Sequence, residues 1–304
     1  MSSIKPIILT FVAFYLPGYK SGGPVRSISN LVDHLGDEFD FRIVTRDRDK
    51  GDETPYPNVA VDAWNQVGKA RVFYASPKNL SFRGLVDLMN RTPYDVLYLN
   101  SFFSPVFTIR PLVLRKLGRV PNRPVLLAPR GEFSEGALAL KRWKKRMFLG
   151  IARHSGIYDS IVLQASSEYE AGDIKRSLGS LARNCVIAMN LPMVVESSEE
   201  GMEDAYTREG PIRLVFLSRI SPMKNLDFAL RVLEKVRVPV VYDIYGPIDN
   251  QDYWRHCEQL IARMPEHVKV VYHGPVPGPD VRKVIARYDL FFLPTRGENY
   301  GHAI

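Results

Sequence analysis

Short apolar runs alternate along this chain with stretches whose apolar residues recur every three or four positions. Residues 7–14 form the first run and predict a buried strand. A glycine-rich turn follows at Ser21-Gly22-Gly23-Pro24, and then Val25, Ile28, Leu31, Val32 and Leu35 repeat at helical spacing. Further strands are predicted at Phe41 to Thr45, Val96 to Asn100, Pro124 to Ala128 and Ser160 to Ala165, with a helix over Ala139 to Ala152. Strands alternating with helices imply βαβ units and a largely parallel sheet.

The alternation breaks at residues 196–210, ESSEEGMEDAYTREG, which are acidic and nearly free of aliphatic side chains. It then restarts with strands at Ile212 to Leu217, Val240 to Tyr245, Val268 to Tyr272 and Leu290 to Leu293. Helices are predicted between them at Asn225 to Val236, Asp252 to Met264 and Asp280 to Arg287. The fold class expected is α/β, with two doubly wound Rossmann-like domains. The division runs 1–193, a linker at 194–210, and 211–304. The second domain holds about four strands where such a domain has around six, so the expectation is an incomplete second domain and a truncated, poorly active chain.

Composition narrows the class. The chain has 304 residues, 45% hydrophobic and 24% charged, an ordinary globular mixture that excludes disorder and a disulfide scaffold. Cys185 and Cys257 lie in no metal-binding pattern. Residues 1–190 carry 27 Lys and Arg against 17 Asp and Glu, a net +10, while residues 191–304 carry 14 against 16, a net −2. A basic first half points to an anionic partner or to charge that simply varies between faces. The longest apolar stretch, Ile7 to Leu16, is about half of the roughly 20 residues a helical span needs. No small-residue cleavage site follows it, so a cytoplasmic protein is expected.

Ligands of such sheets bind at the carboxyl ends of strands, and four clusters fall there. Gly22-Gly23 offers backbone N–H groups to a phosphate, or is a plain tight turn. Arg219 and Lys224, in the loop after a strand, converge on a diphosphate or are two solvated cations. Tyr245-Gly246 and Tyr272-His273-Gly274 supply a wall for a base or sugar, or only turn residues. Glu298, in Gly297-Glu298-Asn299-Tyr300-Gly301-His302, accepts sugar hydroxyls or caps a helix. The D-x-D at Asp47-Arg48-Asp49 is read as a solvated loop, and no catalytic metal is expected. Hydrolase, P-loop and dinucleotide motifs are absent. The run Lys141-Arg142-Trp143-Lys144-Lys145-Arg146 reads as a membrane-surface contact or a solvated helix face. Nucleic acid fits it less well, since no stacking platform accompanies it.

Taken in order, these residues resemble the retaining glycosyltransferases of family 4, the glycosyl transferases group 1 with the GT-B fold. The resemblance rests on Arg219, Lys224-Asn225, Gly246, Val270 to Val276, Pro294 and Glu298-Asn299-Tyr300-Gly301. In the first half it rests on Gly22-Gly23-Pro24-Val25-Arg26, on Pro129-Arg130-Gly131 before the basic run, and on Ala165-Ser166-Ser167-Glu168. The resemblance implies two domains facing a cleft and transfer of a sugar from a nucleotide diphosphate sugar to a glycan or lipid-linked acceptor. It implies retention, no metal and no further cofactor. It gives catalytic roles to Arg219, Lys224 and Glu298. Donor contacts are expected at Gly22, Gly23, Asn225, Gly246, His273, Gly274, Asn299, Tyr300 and Gly301. The acceptor or membrane side is expected at Arg130 and the residues 141–146. A peripheral place at the inner face of the membrane follows.

Two departures stand out. The second Glu of the Glu-x7-Glu motif would fall two residues beyond Ile304, and the family's Pro-Asn-Gly is replaced at Met189-Asn190-Leu191-Pro192. The rival readings are a sugar-nucleotide epimerase of the same fold and a non-catalytic sugar-nucleotide-binding or assembly protein.

Overall fold

A computed structural model describes residues 5–139, 142–194, 210–277 and 280–296. The chain divides into two compact units, Met1–Val195 and Glu196–Ile304.

The first unit is built on β1 (Ile7–Phe11), β2 (Asp40–Arg46), β3 (Trp64–Val67), β4 (Ala70–Ala75), β5 (Val96–Asn100), β6 (Val125–Ala128), β7 (Ile161–Ala165) and β8 (Cys185–Ile187). Their order in the sheet is β3-β4-β2-β1-β5-β6-β7-β8. Every pairing is parallel except the β3–β4 hairpin. The helices are α1 (Gly23–Leu35), α2 (Phe82–Arg91), α3 (Arg110–Lys116), α4 (Glu135–Ala139), α5 (Arg142–Ser155) and α6 (Glu168–Leu178). Within the helix expected over Ala139 to Ala152, the described residues Ala139 and Arg142 to Ala152 are helical, in α4 and α5.

Parallel strands covered on both faces read as continuous apolar runs, and this sheet shows why. Leu97 and Leu99 of β5 belong to one core cluster, whereas Tyr98 between them belongs to another with Ile28, Phe41, Ile43 and Tyr74. Serines cap two of the helices: Ser81 accepts from the Gly84 N–H at 3.1 Å, and Ser167 from the Glu170 N–H at 3.2 Å.

The Asp47-Arg48-Asp49 loop departs from expectation. It is not solvated: Asp47 and Asp49 are 3% and 4% exposed. The Asp49 carboxylate accepts from the N–H groups of Tyr19 (2.8 Å), Lys20 (3.1 Å) and Lys50 (2.7 Å). Asp47 forms a two-point ion pair with Arg48 at 2.8 and 3.0 Å. The Asp49 carboxylate buckles the loop after β1 to the loop after β2, and the orphan amides of irregular backbone require such partners.

The second unit has a four-stranded parallel sheet of β9 (Ile212–Leu217), β10 (Val240–Tyr245), β11 (Val268–Gly274) and β12 (Leu290–Phe291), in the order β11-β10-β9-β12. Its helices are α7 (Leu226–Leu233), α8 (Gln251–Ile261) and α9 (Val281–Ile285). Phe216, Leu230, Tyr242, Ile244, Trp254 and Cys257 meet in its core. Among the described residues β12 is a sheet edge, with Leu290 exposed.

Candidate functional site

The loop after β9 carries Arg219 and Lys224, and the second unit holds it at three points. The Ser218 N–H donates to Tyr245 O (3.0 Å), Ile220 N–H to Pro247 O (2.9 Å) and Asp249 N–H to Ile220 O (3.1 Å), so residues 218–220 extend the parallel pairing with β10. Gly246 makes this approach possible. Its φ is +141°, and a Cβ there would lie 1.9 Å from Ser218 O. No side chain fits that space.

Lys224 ends a short turn, Pro222–Lys224, and Asn225 follows with φ +59°, a left-handed conformation that Asn tolerates. The reversal there starts α7 at Leu226 rather than at Asn225. The Asn225 amide donates to Pro294 O at 2.9 Å and accepts from Arg296 Nε at 2.9 Å. The Arg296 N–H donates to Met223 O at 2.9 Å, and the Thr295 hydroxyl to the same oxygen at 3.1 Å. The segment after β12 is thereby clipped to the Lys224 turn. Asn225, one of the expected donor contacts, forms this clip with its side chain.

Arg219 is about 39% exposed and its Nη1 sits 3.2 Å from Asp249 Oδ2. Its other guanidinium donors have no acceptor among the described residues. At the ends of β10 and β11, the His273 ring stacks on Tyr245 with centroids 4.7 Å apart and 14° between planes. His273 Nε2 lies 2.9 Å from Asp243 Oδ1, and the Tyr288 hydroxyl donates to Asp243 Oδ2 at 2.7 Å. Burial first, then the hydrogen bonds to Tyr245 and Asp243, push the Tyr288 phenol well above its ordinary range. The result is a rigid aromatic wall whose polar atoms are already matched, with Gly274 (φ +79°) turning the chain away beside it. Glu298, Asn299, Tyr300 and Gly301 lie outside the described residues.

In the first unit, Gly22 (φ +66°) precedes α1 with no side-chain cap, and Gly23 opens the helix. Arg130 has φ +56° and points its guanidinium into the unit. It donates to Asn100 Oδ1 through Nε (3.0 Å) and Nη2 (2.8 Å), to the Tyr98 hydroxyl (2.8 Å), and to Asn190 Oδ1. Sequence reasoning missed two carboxylates that hold the same strand ends. Glu132 accepts from the Ser101 hydroxyl (2.6 Å) and the Phe102 N–H (2.5 Å); burial raises its pKa against these bonds. Glu170 accepts from the Gly131 and Ser166 N–H groups and the Ser166 hydroxyl. Their only trace in the sequence is that each stands within a few residues of a strand end.

The basic run splits. Lys141 lies outside the described residues, and Arg142 lies in α5. Lys145 turns inward to Ala137 O (2.8 Å) and over the Phe103 ring (4.8 Å), and burial lowers its pKa. Lys144 and Arg146 stay exposed. Trp143, Met147 and Ile151, four residues apart on one helix face, are 65%, 57% and 60% exposed. No helix among the described residues is long and apolar enough to cross a membrane, and none of their His, Cys, Asp or Glu side chains group to hold a metal.

Comparison with known proteins places this geometry. Residues 211–304 match the family model described as Glycosyl transferases group 1. An uncharacterized 41.2 kDa protein in the cps region of Klebsiella pneumoniae is 23% identical over 241 residues, covering 76% of this chain; the match takes in 63% of that relative, less than two thirds of its length. HepE of Anabaena, solved with UDP and glucose, superposes with a TM-score of 0.65 at 16% identity, over 98% of this chain and 77% of that one. The catalytic domain of starch synthase IV from Arabidopsis thaliana, bound to ADP and acarbose, does so with 0.66 at 11% identity, over 99% and 80%. The second unit thus carries a glycosyl transferases group 1 domain, and the chain has the fold of the GT-B glycosyltransferases.

Proposed function

We propose that the chain belongs to a glycosyltransferase that moves a sugar from a nucleotide diphosphate sugar to a glycan or lipid-linked acceptor, with retention of configuration and without a metal or other cofactor. The observation that carries this reading is the pinned loop of Arg219 and Lys224 at the carboxyl end of β9. As the bond between the anomeric carbon and the phosphate oxygen breaks, the electron pair stays on the diphosphate. Two cations on a fixed backbone stabilise that charge without reorganising, which is the most effective form of electrostatic catalysis. The wall of Tyr245 and His273 offers a face for the base or sugar. Glu298, in the segment after the Asn225 clip, takes donor-sugar hydroxyls by the family resemblance. That HepE was solved with UDP and glucose, and starch synthase IV with ADP, favours a nucleoside diphosphate sugar as donor.

The test is to incubate the protein with a panel of nucleotide sugars and measure released nucleoside diphosphate. Release with one or a few donors supports transfer. Binding without release from any donor favours the non-catalytic sugar-nucleotide-binding reading.

We further infer a partner for α5. An exposed stripe of Trp143, Met147 and Ile151 beside Lys144 and Arg146 suits an anionic membrane surface, apolar side down and cations at the headgroups. The protein is then peripheral, at the inner face of the membrane. Vesicles containing an anionic lipid should bind it, with weaker binding as salt rises. Replacing the three apolar residues with Ser should abolish binding; unchanged binding would refute this partner.

A further inference from the structure

The first sheet reverses its direction of winding at β1. The chain passes from β1 to β2 on one side and returns to place β5 on the other. In open α/β sheets, the crevice at the carboxyl ends beside such a switch point is where ligands sit. One side chain lies across it. Arg46, the last residue of β2, carries its guanidinium over the ring of Phe14, which follows β1, at 5.9 Å, and over the ring of Phe107, which follows β5, at 5.4 Å.

Ring contacts shield the faces of a guanidinium and leave its in-plane N–H donors unused. None of those donors has an acceptor among the described residues; the Arg46 backbone N–H is bonded to Ala13 O at 3.4 Å. The nearest carboxylate along the chain, Asp47, is engaged by Arg48. Burial and the neighbouring cations Arg110 and Arg48 disfavour the charged form of Arg46, and Asp47 offsets this only in part. Arg110 itself donates to Leu80 O and lies over Phe82 at 5.4 Å.

The platform beneath Arg46 is built and held. Ser101, at the end of β5, has φ +89°, a strained conformation for a residue with a side chain. Its carbonyl accepts from the Thr108 hydroxyl at 2.5 Å, and its own hydroxyl donates to Glu132. The segment Pro105–Ile109 is a wide turn, with the Ile109 N–H reaching back to Ser104 O at 3.0 Å. Such turns recur at functional sites. Phe107 within it is fully buried.

We propose that Arg46 is a binding residue for an anionic group, a phosphate or a carboxylate, presented by the acceptor at the switch point of the first sheet. Its planar fork accepts two oxygens of such a group side by side. That the ligand is an acceptor rests on the glycosyl-transfer reading; that the site binds an anion does not.

The test uses the full chain with Arg219→Ala and Lys224→Ala, so that the cations assigned to the donor cannot report. Inorganic pyrophosphate and glucuronate are titrated by calorimetry. At least one should bind, and adding Arg46→Met should weaken that binding on the order of tenfold or more. A preference for pyrophosphate marks a phosphorylated acceptor such as a lipid diphosphate; a preference for glucuronate marks an acidic sugar. Arg46→Lys keeps the charge and loses the fork, and should weaken binding less than Arg46→Met. It decides the matter if the Met variant does not fold. Binding of neither probe, or affinity unchanged by both substitutions, overturns the proposal. A separate titration of the unsubstituted chain with UDP tests the donor reading. Failure there with anion binding at Arg46 intact sinks only the proposed function.

Discussion

The two units hold their arginines differently. In the first, Arg130 reaches Asn100, Tyr98 and Asn190 and has become part of the scaffold. In the second, Arg219 keeps one ion pair with Asp249 and stands about 39% exposed on a stretch, residues 218–220, that backbone hydrogen bonds pin. Both follow a strand, and from the sequence either is a ligand contact. The difference is where the hydrogen-bond acceptors are. A strand-end arginine surrounded by buried amides is satisfied by the protein. One on a loop whose own polar groups pair with each other is left for a ligand.

The sharpest way to break this comparison is Arg130→Ala. Removing a guanidinium with four internal bonds takes the donor from Asn100 Oδ1 and Asn190 Oδ1, and should cost about 2–4 kcal/mol of stability, read as a lower midpoint in urea. A variant that melts like the parent would show that Arg130 is no scaffold. In the second unit Gly246→Ala should cost about 2–3 kcal/mol, because the new Cβ has nowhere to go but into Ser218 O. It should also displace Arg219 and weaken nucleotide binding. A stable variant with normal nucleotide affinity would show that the loop is not pinned there.

A smaller effect is expected at the clip. Asn225→Ala loses the bonds to Pro294 O and Arg296 and places alanine at φ +59°, for about 1–2 kcal/mol. Asn225→Gly loses the same bonds without the backbone strain and should melt higher than the Ala variant. Equal midpoints would remove the strain from the account.

What could be read from the sequence divides along the same physical line. Continuous apolar strands were legible: Ile212–Leu217 and Val240–Tyr245 stand where the pattern places them. The hairpin of Trp64–Val67 and Ala70–Ala75 was not, because Trp-Asn-Gln-Val is short and half polar, and only its partner strand makes it a strand. α6 was hidden by Glu, Asp and Lys on its outer face. The Asp47-Arg48-Asp49 loop was misread because charge suggests solvent. Two of the three backbone N–H groups meeting at Asp49, those of Tyr19 and Lys20, come from about thirty positions away, which no local pattern reveals. The same limit hid Glu132 and Glu170, and it hid the position of Arg46 between two rings brought by separate strands.

The central claim is that the cations on the loop after β9 hold the donor's diphosphate. The most direct measurement is donor turnover and UDP affinity in Arg219→Ala and Lys224→Ala, beside thermal melts of the same proteins. The account predicts transfer lowered on the order of a hundredfold in each variant and weaker UDP binding. The Arg219→Ala melt should stay close to the parent's, since a partly exposed loop ion pair adds little to stability. Normal turnover and normal UDP affinity in both variants would contradict it.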